Sequence, residues 1–136
     1  MPTTTSSKKQ YHYSAGKRKT AIARVKLFEG GKGDLKVNGK DAKEYFTRIQ
    51  RENALAPLAL TDNAKTFDIE ALVKGGGKSA QSDAIRHGIS KNLTLFNPDF
   101  RPTLKKEGYL RRDARIKERK KPGLKRARKS PQWAKR

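Results

Sequence analysis

With 136 residues, 33% hydrophobic content, no cysteine and a net charge of +21, the chain has room for one small domain and calls for a polyanionic partner. The absence of cysteine excludes a disulfide framework and a thiolate metal site, and His12 and His87 are too few and too far apart in sequence to suggest any other metal site. No apolar run approaches the ~20 residues that cross a bilayer, and Met1–Ser7 lacks the apolar core of a secretion signal, so a cytosolic protein with no membrane partner is expected.

Residues 1–10 are expected to be disordered, with a globular RNA-binding domain over 11–108 and an extended basic tail over 109–136. Within the domain, Thr20 to Phe28 sets Ala21, Ala23, Val25 and Leu27 against Ile22, Arg24, Lys26 and Phe28, a period of two that predicts a strand with one apolar and one mixed face. A turn cluster, Glu29-Gly30-Gly31-Lys32-Gly33, leads to Leu35 and Val37, so a second strand should pair with the first as a hairpin, ended by Asn38-Gly39. Asp41, followed three residues later by Glu44, reads as an N-cap with its capping-box partner, opening a helix with Ala42, Tyr45, Phe46 and Ile49 on its apolar face. A second short helix follows around Asn53 to Ala59, bent or ended by Pro57.

Thr66 to Val73 alternates Phe67, Ile69, Ala71 and Val73 with polar neighbours and predicts a central strand. Gly75-Gly76-Gly77 then leads into Lys78 to Phe96, where Ile85, Ile89, Leu93 and Phe96 recur at helical spacing. Strand, glycine turn and helix make a βα unit. Asn97-Pro98 stops the helix, and Arg101 to Glu107 predicts one more short helix, with Pro102 in its first turn and Gly108 closing it.

Gly77-Lys78-Ser79 matches the end of a Walker loop, but that motif needs a glycine where Leu72 stands. Three consecutive glycines instead suit a tight turn with positive φ and close strand–helix packing. They equally let backbone N–H groups and the helix start approach an RNA phosphate, with Lys74 and Lys78 alongside, and the two readings coexist. Carboxylates occur singly, mostly beside Lys or Arg, and His87, opposite the Ile85/Ile89 stripe, reads as an exposed or RNA-facing residue. No catalytic residue, cofactor or small-molecule substrate is therefore expected. Lys17-Arg18-Lys19 and Arg24/Lys26, flanked by Tyr11, His12 and Tyr13, read as an RNA-facing loop at the start of the first long strand.

The last thirty-six residues carry sixteen Lys/Arg against Glu107, Asp113 and Glu118. Such a segment buries too little surface to offset its chain entropy and should fold only against a polyanion. Its cations are interspersed with Pro122, Gly123 and Pro131, so an extended run of phosphate contacts is expected. Composition alone leaves a free-standing basic nucleic-acid binder as an alternative to a component of a fixed assembly.

Three motifs narrow that choice. The stretches Gly16-Lys17-Arg18-Lys19-Thr20-Ala21-Ile22-Ala23-Arg24-Val25, Gly75 to Lys91, and the terminal Pro131-Gln132-Trp133-Ala134-Lys135-Arg136 closely resemble the bacterial-type small-subunit ribosomal protein S9 family, the likeness running from about Tyr11 to Arg136. Ala80, Asn92 and Trp133-Ala134 depart from the residues usual in that family. The resemblance implies an α/β globule of the ribosomal S5 second-domain type, with a mostly four-stranded sheet and helices on one side, bound to 16S rRNA among other proteins of the subunit head. It implies that Lys17, Arg18, Lys19, Arg24, Lys74, Gly75, Gly76, Gly77, Lys78, Arg86 and His87 meet rRNA. In the tail it implies the same of Arg111, Arg112, Arg115, Lys117, Arg119, Lys120, Lys121, Lys125, Arg126, Arg128 and Lys129. Lys135 and Arg136 take the family's role of approaching the peptidyl-site tRNA, a reach that twenty-eight extended residues, ~100 Å at most, make feasible.

Overall fold

The computed structural model describes residues 11–112 and Pro122. Its centre is a five-stranded sheet in the order β1-β2-β5-β3-β4. The strands are β1 (Tyr11–Arg18), β2 (Ala21–Glu29), β3 (Leu35–Val37), β4 (Lys40–Asp41) and β5 (Phe67–Lys74). The period-two alternation predicted for β2 and β5 is realised: Ala21, Ala23, Val25, Leu27, Phe67, Ile69, Ala71 and Val73 are all buried on one face. Each such apolar side chain removed from water stabilises the fold by roughly 1.5–3 kcal/mol when it is Val, Leu, Ile or Phe.

Two expectations about the sheet fail. The segment around Lys17 is not a loop but the end of β1, which pairs antiparallel with β2 from Tyr11↔Phe28 to Arg18↔Ala21. Gly16 inside it and the lack of a clean apolar alternation weaken the strand signal there. Nor do β2 and β3 form a hairpin. β5 lies between them, antiparallel to β2 along its length and parallel to β3. Eight paired residues of β5 outcompete the three that β3 could offer, and the connecting loop is tied to β5 instead. Oδ1 of Asp68 accepts from the N–H groups of Lys32 (2.9 Å) and Asp34 (3.2 Å), and Gly31 N–H donates to the Thr66 carbonyl at 3.0 Å.

The helices α1 (Ala42–Tyr45), α2 (Arg48–Leu60), α3 (Lys78–Phe96) and α4 (Arg101–Lys106) lie on the buried side of the sheet. The first expected helix is cut short. Asp41 caps it by accepting from Lys43 N–H (3.1 Å), but Phe46 turns inward in an extended conformation. Thr47 then forms a reciprocal capping box with Gln50, so α2 starts at Arg48, runs through Pro57, and leaves Ile49 78% exposed. α3 packs over β1 and β2, and α2 packs on α3. Leu58, Ile85, Ile89, Leu93 and Leu104 close the core, and Tyr109 and Leu110 pack against it from beyond α4. Among the described residues no helix is long and apolar enough to cross a membrane.

Candidate nucleic-acid interface

The β1–β2 turn and the glycine turn meet at one end of the sheet. Lys19, at φ +52°, turns the chain between the two strands. Gly75 (φ +76°) lies so close beneath Thr20 that a Cβ there would sit 2.5 Å from the Thr20 carbonyl oxygen, and one on Gly76 (φ +64°) would press on the Ala21 Cβ at 3.2 Å. These two glycines are required by conformation and by space. Gly77 is different: its φ is −87°, nothing lies within 4 Å of a Cβ built on it, and it is the N-cap of α3 without a side-chain capping bond. The first N–H groups of a 19-residue helix therefore open beside Lys74 and Lys78.

The turn is braced from below. Gln81 Nε2 donates to the Gly75 carbonyl (3.1 Å), and Tyr45 Oη donates to Gln81 Oε1 (2.5 Å). The ammonium of Lys78 lies 5.1 Å over the Tyr45 ring. Asn38 completes the support by acting as a strand partner to Val73, accepting from its N–H at 2.9 Å and donating to its carbonyl at 3.2 Å.

Lys17, Lys19, Arg24, Lys74, Lys78, Arg111 and Arg112 are exposed, as a surface for phosphates requires. Arg18, Arg86 and His87 are placed otherwise. Arg18 Nε lies 3.5 Å from Asp83 Oδ2, with only 14% of the side chain exposed. Arg86 donates to Asn53 Oδ1 (2.7 Å), lies 3.8 Å from Asp83 Oδ1 and stacks 5.2 Å over the Tyr109 ring. These arginines tie β1, α2, α3 and the start of the tail together.

His87 departs most from expectation. It is not exposed but 7% accessible, because α3 lies over the edge of β1 and turns this helical position inward. Its Nδ1 accepts from Lys17 N–H at 3.3 Å. Burial pushes its pKa below the ordinary 6.5, and Lys91, Arg112 and Arg86 push it the same way, against a hydrogen bond to the Leu110 backbone that favours the charged ring. The ring is thus a neutral bridge between β1 and the start of the tail. Arg115, Lys117, Arg119, Lys120, Lys121, Lys125, Arg126, Arg128, Lys129, Lys135 and Arg136 lie outside the described residues, as do residues 1–10.

Sequence reasoning passed over Lys91, whose Nζ donates to the Ala15 carbonyl at 3.1 Å, and the extension of the mixed face of β2 onto β5 and β3, where Leu72 and Lys36 join Tyr13, Ile22, Arg24 and Lys26. The alternation of β2 carried the signal for that face, but without the strand order nothing placed its neighbours.

Compared with known sequence families, residues 16–136 match ribosomal protein S9/S16. That stretch takes in β1 from Gly16 onward, every later strand and helix, and the whole basic tail.

Proposed function

We propose, since the chain belongs to the ribosomal protein S9/S16 family, whose members are structural ribosomal components that bind rRNA and are not enzymes, that it serves in the small subunit in the cytoplasm. There it binds 16S rRNA in the subunit head, beside other head proteins, and its tail reaches the peptidyl-site tRNA. The observation that carries this reading is the convergence of Lys17, Lys19, Lys74, Lys78 and the open start of α3 at one end of the sheet. Cations and unpartnered N–H groups gathered there suit a folded phosphate backbone better than a small ligand.

In this reading the globular part supplies the anchor over residues 11–108, and residues 109–136 thread between RNA segments. Arg111 and Arg112 lead off, Arg115 to Lys129 follow the phosphates, and Lys135 with Arg136 touches the tRNA. The test has two arms. Binding of the full-length protein to 16S rRNA should weaken steeply with salt, each phosphate contact adding roughly −0.7 to −0.9 to the slope of log K against log salt; a slope shallower than about −3 means that these cations are mostly solvated. Removing Lys135 and Arg136 should leave subunit assembly intact while peptidyl-site tRNA affinity falls about tenfold, given charge-assisted hydrogen bonds of roughly 1.5–3 kcal/mol each at most. Unchanged tRNA affinity, or exclusion of the truncated chain from subunits, places the tip elsewhere.

A further inference from the structure

All the helices pack on one face of the sheet, and the opposite face is open among the described residues. The strand registers order that open face into rows. Nearest the glycine turn lie Lys17, Ile22 and Lys74, followed by Ala15, Arg24 and Leu72. Farther out come Tyr13, Lys26, Glu70 and Lys36, and last Tyr11, Phe28 and Asp68. Carboxylates enter only from the third row on, so the half beside the basic end of the sheet is cationic and apolar together.

The apolar groups are unusually open for a strand surface: Ile22 is 46% exposed, Leu72 53%, and Tyr11 and Tyr13 48% each. They do not merge into one patch, because Arg24 and the lysines stand between them. Between β2, β5 and β3 the face dips into a shallow groove of about 340 Å³ lined by Arg24, Lys26, Lys36, Glu70 and Leu72. That is the small end of the range for ligand sites. The Glu70 side chain forms no hydrogen bond or ion pair among the described residues, which leaves its carboxylate acceptors to the groove.

We propose that this open face is a second RNA surface, on which an unpaired stretch lays its bases over Leu72, Ile22 and Tyr13 while Arg24, Lys26 and Lys74 hold its phosphates. This rests on the rRNA-binding reading above and adds to it the conformation of the RNA and the face that takes it. A protein partner fits less well. The centre of a protein interface is depleted in charged residues, lysine above all, whereas here every exposed apolar group has a cation beside it. A duplex fits less well too, since its base faces are stacked and hidden; a tyrosine ring and open aliphatic side chains among cations suit unstacked single strands.

The test measures binding of full-length protein to 16S rRNA at fixed salt for wild type, Leu72→Glu and Ile49→Glu. Ile49 is an exposed apolar residue on the helical side, so the two variants carry the same chemical change and the same net charge. Leu72→Glu should bind about tenfold more weakly than Ile49→Glu, as loss of an apolar base contact and one carboxylate misplaced among the phosphates imply, with ultraviolet cross-links from rRNA to β1, β2 or β5 disappearing in parallel. Ile22→Glu on the neighbouring strand gives the same readout should Leu72→Glu fail to fold. Equal affinities for the Leu72 and Ile49 variants overturn the proposal while leaving rRNA binding intact. A Leu72→Glu protein that binds rRNA normally but is excluded from subunits also overturns it, in favour of a protein on this face. Failure of the wild type to bind rRNA at all removes instead the reading on which the proposal stands.

Discussion

The backbone N–H of Lys17 donates to Nδ1 of His87, 3.3 Å away and 70 residues later in the chain. β1 is an edge strand with β2 on one side only, so its outward N–H and C=O groups need partners from elsewhere. α3 supplies them one turn apart. His87 accepts from Lys17, and Lys91 donates to the carbonyl of Ala15, two residues back along the same strand. The edge beside the basic turn is thereby closed to pairing with another chain, and its geometry is fixed to the helix.

That bridge requires a neutral ring, since a protonated Nδ1 would present a donor to a donor. The folded pKa of His87 lies below 6.5, chiefly through burial, then through Lys91, Arg112 and Arg86. The unfolded chain takes up this proton near pH 6.5 while the folded ring refuses it, so the contribution is full above that value and is lost as pH falls through the window down to the folded pKa. Urea unfolding from pH 7.5 to 5 should show wild type losing more stability than His87→Gln. Parallel curves for the two proteins would place the acid sensitivity in other groups.

Gly16 and Gly88 are where β1 and α3 touch. A Cβ on Gly16 would collide with the Ala84 carbonyl oxygen and the Gly88 backbone nitrogen, atoms that cannot rotate away. One on Gly88 would lie 2.6 Å from Cγ2 of Val25, a side chain that can be trimmed. Gly16→Ala should therefore destabilise by about 3 kcal/mol or more, the upper range for overpacking. Gly88→Ala should be partly relieved by Val25→Ala, the pair costing less than the sum of the single changes. Strict additivity in thermal unfolding would mean that the crossing gives way by another route.

Most of this framework is legible in the sequence where a period is long and strong. β5 and α3 begin and end within a residue of their predicted bounds because Phe67, Ile69, Ala71 and Val73, then Ile85, Ile89 and Leu93, repeat without interruption. What periodicity cannot carry is who pairs with whom. The loop that ties Lys32 and Asp34 to Asp68 looks like a hairpin turn until β5 is in place. Burial of polar groups was equally hidden. His87 looks exposed on a helical wheel, and Asn92, 0% exposed, donates to the Val25 carbonyl while its Oδ1 finds no partner among the described residues. In the interface, exposed lysines follow from composition. The division of labour between Lys17, which faces outward, and Arg18, which pairs with Asp83, follows only from strand parity.

The three turn glycines should not respond alike. Valine at Gly76 must adopt φ near +64° against Ala21 and should impair folding. Alanine at Gly77, with ordinary φ and open space, should fold normally. Lys78→Ala should cost no more than one phosphate contact and the ring contact with Tyr45. Circular dichroism melts of the purified variants rank them directly, and a Gly77→Ala protein as damaged as Gly76→Val would show that the turn is tighter than its backbone angles say.

The same position separates stability from RNA binding. As N-cap of α3, Gly77 offers no side-chain acceptor, and Ser or Asp there should cap the helix, gaining a few tenths of a kcal/mol for Ser and about 0.3–1 kcal/mol more for the favourable charge of Asp at the helix start. Both variants should melt above wild type. Their RNA affinities should diverge: a hydroxyl leaves room for a phosphate at the opened N–H groups, whereas a carboxylate occupies its place with like charge. Gly77→Asp should bind 16S rRNA about tenfold more weakly than Gly77→Ser at low salt, the gap narrowing as salt rises. If the two bind alike while both are stabilised, the start of α3 faces solvent and the phosphates lie on the lysines alone.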